Sequence, residues 1–241
     1  MRSFDEVFSE RRSVREYTGR PIGRRLKETI LAAAMRAPTA GNLMLYSIIE
    51  IESPAIKRRL SVTCDNQPFI AAAPWVLVFL ADFQRMRDCY ALAGAVPRRR
   101  TGQRPREADL LLACCDALVA AQTAVVAAEA HGVGSCYVGD IVENYETHRD
   151  LLHLPRYVFP IAMVCFGFPT GRQKTRPQTT RFPRRIVVHT DSYKSITRAD
   201  MAEMYRSSAE EELRALYKWK FTAEFSVEAR RSVKKMLENW R

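Results

Sequence analysis

The most chemically distinctive stretch of the chain lies close behind the N-terminus, where three arginines and a serine (Arg11, Arg12, Ser13 and Arg15) occupy five positions. Arginine is rarely buried without a partner, and its planar guanidinium matches phosphate oxygens two at a time. The cluster therefore predicts an anion site. A solvated face at the end of a short helix is the alternative that spacing alone leaves open.

A loop with residue types that suit a flat ligand and a glycine-containing segment follow later in the chain. Residues 37–43 are small and polar and follow a predicted helix that Pro38 ends, so backbone there can approach a ligand closely. Residues 132–141 carry glycines at 132, 134 and 139 directly after a long apolar helix. A lone Gly-x-Gly is weak evidence, but its place after a buried helix strengthens the prediction.

Length and charge limit the class of protein. The 241 residues, 47% of them hydrophobic, predict one domain over 1–241 with a C-terminal helical extension from about residue 200. A net charge of +11 permits nucleic acid, an anionic membrane surface or phosphorylated small molecules as partners. We find neither zinc-finger spacing nor an aromatic-rich RNA signature, which argues against nucleic acid.

The cysteines and the N-terminus point to a reducing, cytoplasmic setting. Six cysteines include no C-x-x-C pair, and four histidines lack ligand spacing, so we predict no metal site. Early acidic residues and the lack of an apolar core argue against a secretion signal. The apolar run 110–130 approaches the length of a membrane span, but Asp116 and Glu129 within it favour a buried helix and no membrane partner.

Hydrophobic periodicity predicts the elements that position these stretches. Helices are expected over 4–10, 23–36, 54–63, 107–131, 143–152, 209–219 and 227–240, and strands over 45–52, 75–81 and 160–169. The segment 83–106 is predicted to be an exposed loop, with a lid or a partner-binding insertion as the alternative. The helix 107–131 is apolar almost all round, a pattern typical of a central helix that is commonly buried by a subunit partner.

The arginine stretch, followed at once by Pro21 and Ile22, resembles the opening of the nitroreductase family. The resemblance continues in order through most of the chain and is closest to the NADPH-preferring nitroreductase A and flavin reductase branch. The other segments and residues that match the family pattern are the loop 39–42, Gln67, the segment 132–141, the strand ending at Gly167-Phe168-Pro169, and Arg181.

This resemblance implies an α+β sandwich in which a mixed, mainly antiparallel sheet is flanked by helices. It also implies an intertwined homodimer with FMN at each interface. The FMN-binding residues that it implies are Arg11, Arg12, Ser13, Arg15, Thr39, Ala40, Gly41, Asn42, Gln67, Phe69, Tyr137, Val138, Gly139, Asp140 and Arg181.

The resemblance further implies an enzyme that passes hydride from NAD(P)H through FMN to nitroaromatic or quinone acceptors by a ping-pong mechanism. The alternatives are reduction of free flavin, enones or halogenated substrates, or a non-enzymatic flavin-binding role. The sequence departs from the family pattern at three positions. Met44 replaces a usual glutamine, Asp140 a usual glycine and Thr179 a usual lysine. Asp140 could repel anionic substrates, supply a proton, or turn outward.

Overall fold

The computed structural model describes residues 2–95, 104–205 and 209–240. The chain divides into two compact units, one formed by Met1–Arg176 with Glu228–Arg241 and the other by Pro177–Val227. The single domain expected over 1–241 stays a prediction.

The first unit is built on a four-stranded sheet. Its strands are β1 (Tyr46–Glu50), β2 (Trp75–Asp82), β3 (Gly134–Val138) and β4 (Val158–Gly167). The order is β1-β2-β4-β3, and every neighbouring pair is antiparallel. The two central strands have the nearly continuous apolar sequences that burial on both faces requires, and β2 is buried along its whole length. The sheet is therefore antiparallel, and an isolated parallel bridge joins Ser13, which lies outside its strands, to Ser135.

Helices cover both faces of this sheet. Those of the first unit are α1 (Phe4–Glu10), α2 (Arg24–Met35), α3 (Pro54–Thr63), α4 (Pro68–Ala72), α5 (Gln84–Leu92), α6 (Glu107–Ala130), α7 (Tyr145–Leu151) and α8 (Gly171–Thr175). The second unit holds α9 (Arg184–Val187), α10 (Arg198–Tyr205) and α11 (Ala209–Thr222). The last helix, α12 (Glu224–Trp240), begins in the second unit and ends in the first.

Side chains at the helix ends explain several boundaries. Ser3 and Glu6 form a reciprocal capping box at the start of α1. The Ser53 side chain accepts a hydrogen bond from the first turn of α3. At the start of α6 the Asp109 carboxylate accepts from the Arg106 backbone N–H at 2.7 Å. Gly132, with φ of 73°, follows the end of α6 in the left-handed conformation that a helix terminator needs.

The long helix α6 is the centre of the first unit. It packs against α2 and all four strands, and its alanines form part of the main apolar core. Among the described helices it alone has the length and composition that could cross a membrane. Its packing identifies it as the predicted core helix. One side is left uncovered by the described residues of the first unit, where Leu111 is 67% exposed and Leu118 is 45% exposed.

Several expectations about local structure were wrong. The predicted exposed loop 83–106 contains α5, while its residues 96–103 lie outside the described part of the chain. The linker expected over 220–225 is mostly helical, because α11 runs to Thr222 and α12 starts at Glu224. The short helices α4, α8 and α9 have four or five residues each, too few to show a helical period.

The C-terminal end of α12 is part of the first unit's core. Trp240 is fully buried, with its ring centroid 5.3 Å from that of Tyr157 and 5.2 Å from that of Phe159. Its indole N–H donates to the Arg106 carbonyl at 2.9 Å, directly before α6 begins. Trp240 therefore ties the last helix to the start of the central one.

We expect Trp240→Ala to lower the free energy of unfolding by about 3–5 kcal/mol, because it removes a large buried ring and leaves a cavity. The matched control is Trp219→Ala on α11, whose side chain is 57% exposed and should change the free energy by less than about 0.5 kcal/mol. Urea unfolding followed by circular dichroism measures both values. Equal effects of the two substitutions would contradict the docking of α12 described here.

Candidate functional site

The arginine stretch lies extended against the ends of β3 and β4. The Val14 N–H donates to the Ser135 carbonyl at 2.8 Å, and the Thr18 N–H donates to the Phe168 carbonyl at 2.8 Å. Tyr17 forms an antiparallel bridge with Pro169. The stretch is therefore held by backbone hydrogen bonds at both ends and is a fixed part of the first unit.

Two glycines allow this close packing. A Cβ atom on Gly134 would lie 2.5 Å from Cγ2 of Val14, and one on Gly167 would lie 2.4 Å from Cδ1 of Tyr17. Contacts this short exclude a side chain at either position. Gly134 of the predicted Gly-x-Gly segment thus serves to seat the arginine stretch.

Alternation along the extended stretch separates its side chains. Val14 is buried, whereas Arg15 is exposed, and the Arg15 guanidinium carbon lies 5.8 Å from the centroid of the Phe69 ring. The backbone N–H of Arg15 donates to Oε1 of Gln173 at 3.3 Å. The structure thus brings together two predicted site residues from distant parts of the sequence, Arg15 and Phe69.

Arg12 lies on the same side of the stretch as Val14. Its guanidinium donates to the Lys174 carbonyl, and its Nε atom is buried without a hydrogen-bond partner among the described residues. Arg12 and Val14 line a cavity of about 300 Å³ together with Glu129 of α6. Arg12 and Arg15 thus have different neighbours. The ligand-binding role expected for Arg12 stays a prediction.

Glu129 is a buried carboxyl that faces this cavity. Burial raises its pKa to about 7, against the opposing charges of Arg2, Arg11 and Arg12. The Arg2 guanidinium donates to Glu129 Oε2 at 3.1 Å. Glu129 therefore ties the N-terminal segment to the C-terminal end of α6.

Gln67 and Asp140 are in direct contact. The Gln67 side-chain nitrogen lies 2.6 Å from Asp140 Oδ2 and 3.0 Å from the Cys64 carbonyl oxygen. Two left-handed residues, Asp65 and Asn66 with φ of 58° and 50°, make the turn that delivers Gln67. The outward orientation that the sequence left open for Asp140 is therefore not the one that the structure adopts.

The residues directly before Asp140 differ in exposure. Tyr137 is 37% exposed, and its hydroxyl lies 3.4 Å from the Gln122 side-chain oxygen. Burial of its ring raises the pKa of Tyr137 to about 12, so the phenol stays protonated at neutral pH. Val138 is buried, whereas Gly139 is exposed with open space beside its Cα. At Val138 and Gly139 a ligand would meet mainly backbone.

A buried carboxylate on α6 shapes the second predicted loop. Asp116 accepts from the Thr39 hydroxyl, from the Ala40 N–H at 3.2 Å and from the Leu45 N–H at 3.1 Å. Gly41 and Asn42 between them have left-handed φ values of 55° and 56°. Sequence reasoning did not assign this anchor, although a lone carboxylate inside an apolar helical run was a usable signal.

The predicted residues of the first unit fall into two groups. Arg11, Ser13, Arg15, Gln67, Phe69 and residues 137–140 form the arginine group, and residues 39–42 form the loop group. The loop group is anchored at Asp116, and the arginine stretch packs near Glu129. At about 1.5 Å per residue, these anchors are about 20 Å apart along α6. Within one chain Asp116 therefore lies near the middle of α6 and Glu129 at its C-terminal end, while Tyr137 of the arginine group reaches Gln122 between them.

Arg181 belongs to the second unit, where its guanidinium donates to the Thr179 hydroxyl at 2.6 Å. Its predicted place beside a cofactor stays a prediction. In the part of the chain that the structure describes, no group of three or more His, Cys, Asp or Glu side chains is arranged to hold a metal ion.

Comparison with known proteins identifies the family of the chain. Residues 8–168 match the model of the Nitroreductase family. The chain is 32% identical to the oxygen-insensitive NADPH nitroreductase of Salmonella typhimurium, over 85% of this chain and 80% of that protein. It is 31% identical to the NAD(P)H FMN reductase of Bacillus subtilis, over 77% and 72% of the two chains. Nitroreductase A of Vibrio parahaemolyticus has the same fold, with a TM-score of 0.81, 25% identity and coverage of 100% and 97%.

We expect Asp116→Ala to lower the free energy of unfolding by about 3–5 kcal/mol. The substitution removes the carboxylate that accepts hydrogen bonds from three donors and leaves two backbone N–H groups of loop 39–45 unpaired. Hydrogen exchange of the Ala40 and Leu45 amides should become faster. The matched control is Gln122→Ala, an exposed position on the same helix. Unchanged exchange at these two amides would show that Asp116 does not hold the loop.

Proposed function

The chain belongs to the nitroreductase family, and on that premise we propose that this NAD(P)H-dependent oxidoreductase reduces nitroaromatic or quinone acceptors. The observation that carries the proposal is the arginine group, in which cationic, aromatic and amide side chains converge beside an open stretch of backbone. Reduction of free flavin is the alternative acceptor reaction, since one of the relatives is an FMN reductase.

The arginine group fits FMN, the cofactor of this family. The exposed guanidinium of Arg15 suits a phosphate, and the neighbouring Phe69 ring offers a flat apolar surface. Gly139 leaves room for a ring system to approach the backbone. Bound FMN supplies the ring nitrogen that accepts hydride from a nicotinamide and returns it to an acceptor.

The protein's own residues would bind FMN, orient its ring and attract the nicotinamide nucleotide. Arg11, Ser13 and Arg15 would hold the phosphate end of FMN, while Gln67 and the backbone of residues 138–140 would orient the ring. The positive net charge favours approach of the anionic nicotinamide nucleotide. The sequence has no second nucleotide-binding fingerprint, so we propose that donor and acceptor use one site in turn.

The loop group reaches this site from a second subunit. Its anchor Asp116 lies about 20 Å along α6 from Glu129, beside which the arginine stretch packs, and this spacing favours contributions from two chains to one ring. The exposed side of α6, with Leu111 and Leu118, is an apolar surface suited to a partner. In a two-fold pairing the loop end of one α6 can lie beside the arginine end of the other. We propose a cytoplasmic homodimer with two such sites.

We expect the FMN-loaded protein to be bleached rapidly in stopped-flow mixing with NADPH, NADH or both, and to be reoxidised fastest by a nitroaromatic or a quinone. Steady-state rates should give the parallel double-reciprocal lines of a ping-pong reaction. Intersecting lines would exclude alternate use of one site. Failure of both nicotinamides to bleach the flavin would remove the reductase proposal and leave a flavin-binding role.

Arg15→Ala should weaken FMN binding by about one to two decades, since a charge-assisted contact contributes about 1.5–3 kcal/mol. Arg24→Ala on α2, where the side chain is 92% exposed and paired with Glu28, removes the same charge elsewhere and serves as the control. Fluorescence titration of the apoprotein with FMN measures both. Equal affinities of the two variants would place the phosphate away from Arg15.

A further inference from the structure

The contact between Asp140 and Gln67 gives a role to a residue that departs from the family pattern. We propose that Asp140, supported by Glu143, fixes the orientation of the Gln67 amide so that its carbonyl oxygen is presented to an N–H group of bound flavin. Asp140 is then a positioning residue. This inference rests on the proposed function, because the ligand is FMN.

The partners of Gln67 determine which way its amide points. A side-chain amide has two N–H donors, and those of Gln67 are directed to Asp140 Oδ2 at 2.6 Å and to the Cys64 carbonyl at 3.0 Å. Rotating the amide by half a turn would place its oxygen against two acceptors. The carbonyl oxygen is therefore the group left to accept a hydrogen bond from a ligand. A glycine at position 140 would leave only the Cys64 carbonyl to hold the amide.

Glu143 in turn holds Asp140. Its backbone N–H donates to the Asp140 carbonyl at 3.0 Å, and its side chain is 4% exposed. Burial, followed by the neighbouring charge of Asp140, raises the pKa of Glu143 to about 8. A Glu143 carboxyl that keeps its proton at neutral pH can donate it in a hydrogen bond to the Asp140 carboxylate.

The surroundings of Glu143 are acidic. The titratable groups that face it are Asp140 on its own turn, Asp65 and Cys64 from the end of α3 and the loop after it, His148 from α7 and Glu228 from α12. Burial lowers the pKa of His148, so this ring is neutral near pH 7. When Glu143 loses its proton, a second negative charge appears beside Asp140, and we expect the two carboxylates to separate and release Gln67.

The sign of the pH effect follows from the raised pKa of Glu143. The folded protein binds this proton more tightly than the unfolded chain, whose glutamate has a pKa near 4.5. The contribution of Glu143 to stability is therefore complete below pH 4.5 and is lost as the pH rises through about 8. FMN affinity should fall over the upper part of the same range.

FMN titration of variants at pH 6.5 and 9 tests the inference in the loaded protein. Asp140→Gly should weaken FMN about tenfold at pH 6.5, the size of one hydrogen bond to a charged group. Asp140→Asn should keep most of the wild-type FMN affinity, because the side-chain carbonyl of the asparagine can still accept a hydrogen bond from Gln67. Glu143→Gln should keep the affinity and abolish its fall at pH 9. Asp150→Asn on α7, with its side chain 72% exposed, is the control.

A second readout needs no FMN. In ¹⁵N spectra of the apoprotein, the Gln67 side-chain amide hydrogens should be protected at pH 6.5 and exchange faster in Asp140→Gly, and in the wild type at pH 9. If the protein fails to bind FMN but shows this protection, the proposed function is wrong and the Asp140 contact is right. A different outcome is that the wild type binds FMN normally, while Asp140→Gly shows the same FMN affinity and the same Gln67 amide exchange as the wild type. That result would overturn this inference and leave the proposed function intact.

Discussion

The burial of a helix that is apolar on almost every side is the constraint on which this structure depends. The sheet and α2 cover much of α6, and small alanine side chains let the neighbouring elements approach it closely. Burial of apolar surface contributes about 25 cal/mol per Å², so the uncovered leucines at 111 and 118 carry an energetic cost for a lone chain. The same helix that stabilises the fold thus carries the apolar surface of the proposed contact with a second subunit.

Two buried carboxylates on this helix fix the positions of segments that belong to or flank the proposed site. Asp116 fixes the loop at residues 39–45 through backbone N–H groups, and Glu129 holds the N-terminal segment through Arg2. A buried carboxylate must be hydrogen-bonded or neutral, so each one specifies the position of the segment that satisfies it. Asp116 thus positions the loop half of the proposed flavin site, and Glu129 positions the segment that precedes its arginine half.

The sequence was informative where its patterns are long or chemically specific. The helix 54–63, the central helix, the strand at 75–81 and the arginine stretch all lie where periodicity and residue type predicted them. The short helices and the division into two units could not be predicted, since they depend on contacts between distant residues. The positions of Arg12 and Asp140 also required the structure, because alternation and a hydrogen bond from Gln67 decide where their side chains point.

The central claim is that the arginine group of one subunit and the loop group of another form one flavin site, and mixed dimers test it directly. Arg15→Ala damages one half of the site, and Ala40→Trp fills the space beside the other. Each homodimer of a variant should lose tight FMN binding. Mixed dimers, isolated with two different affinity tags, should regain about half of the wild-type FMN content and activity, because one of their two sites has no substitution. If the mixed dimers bind no more FMN than the variant homodimers, both groups act within a single chain, and the account of a shared site is wrong.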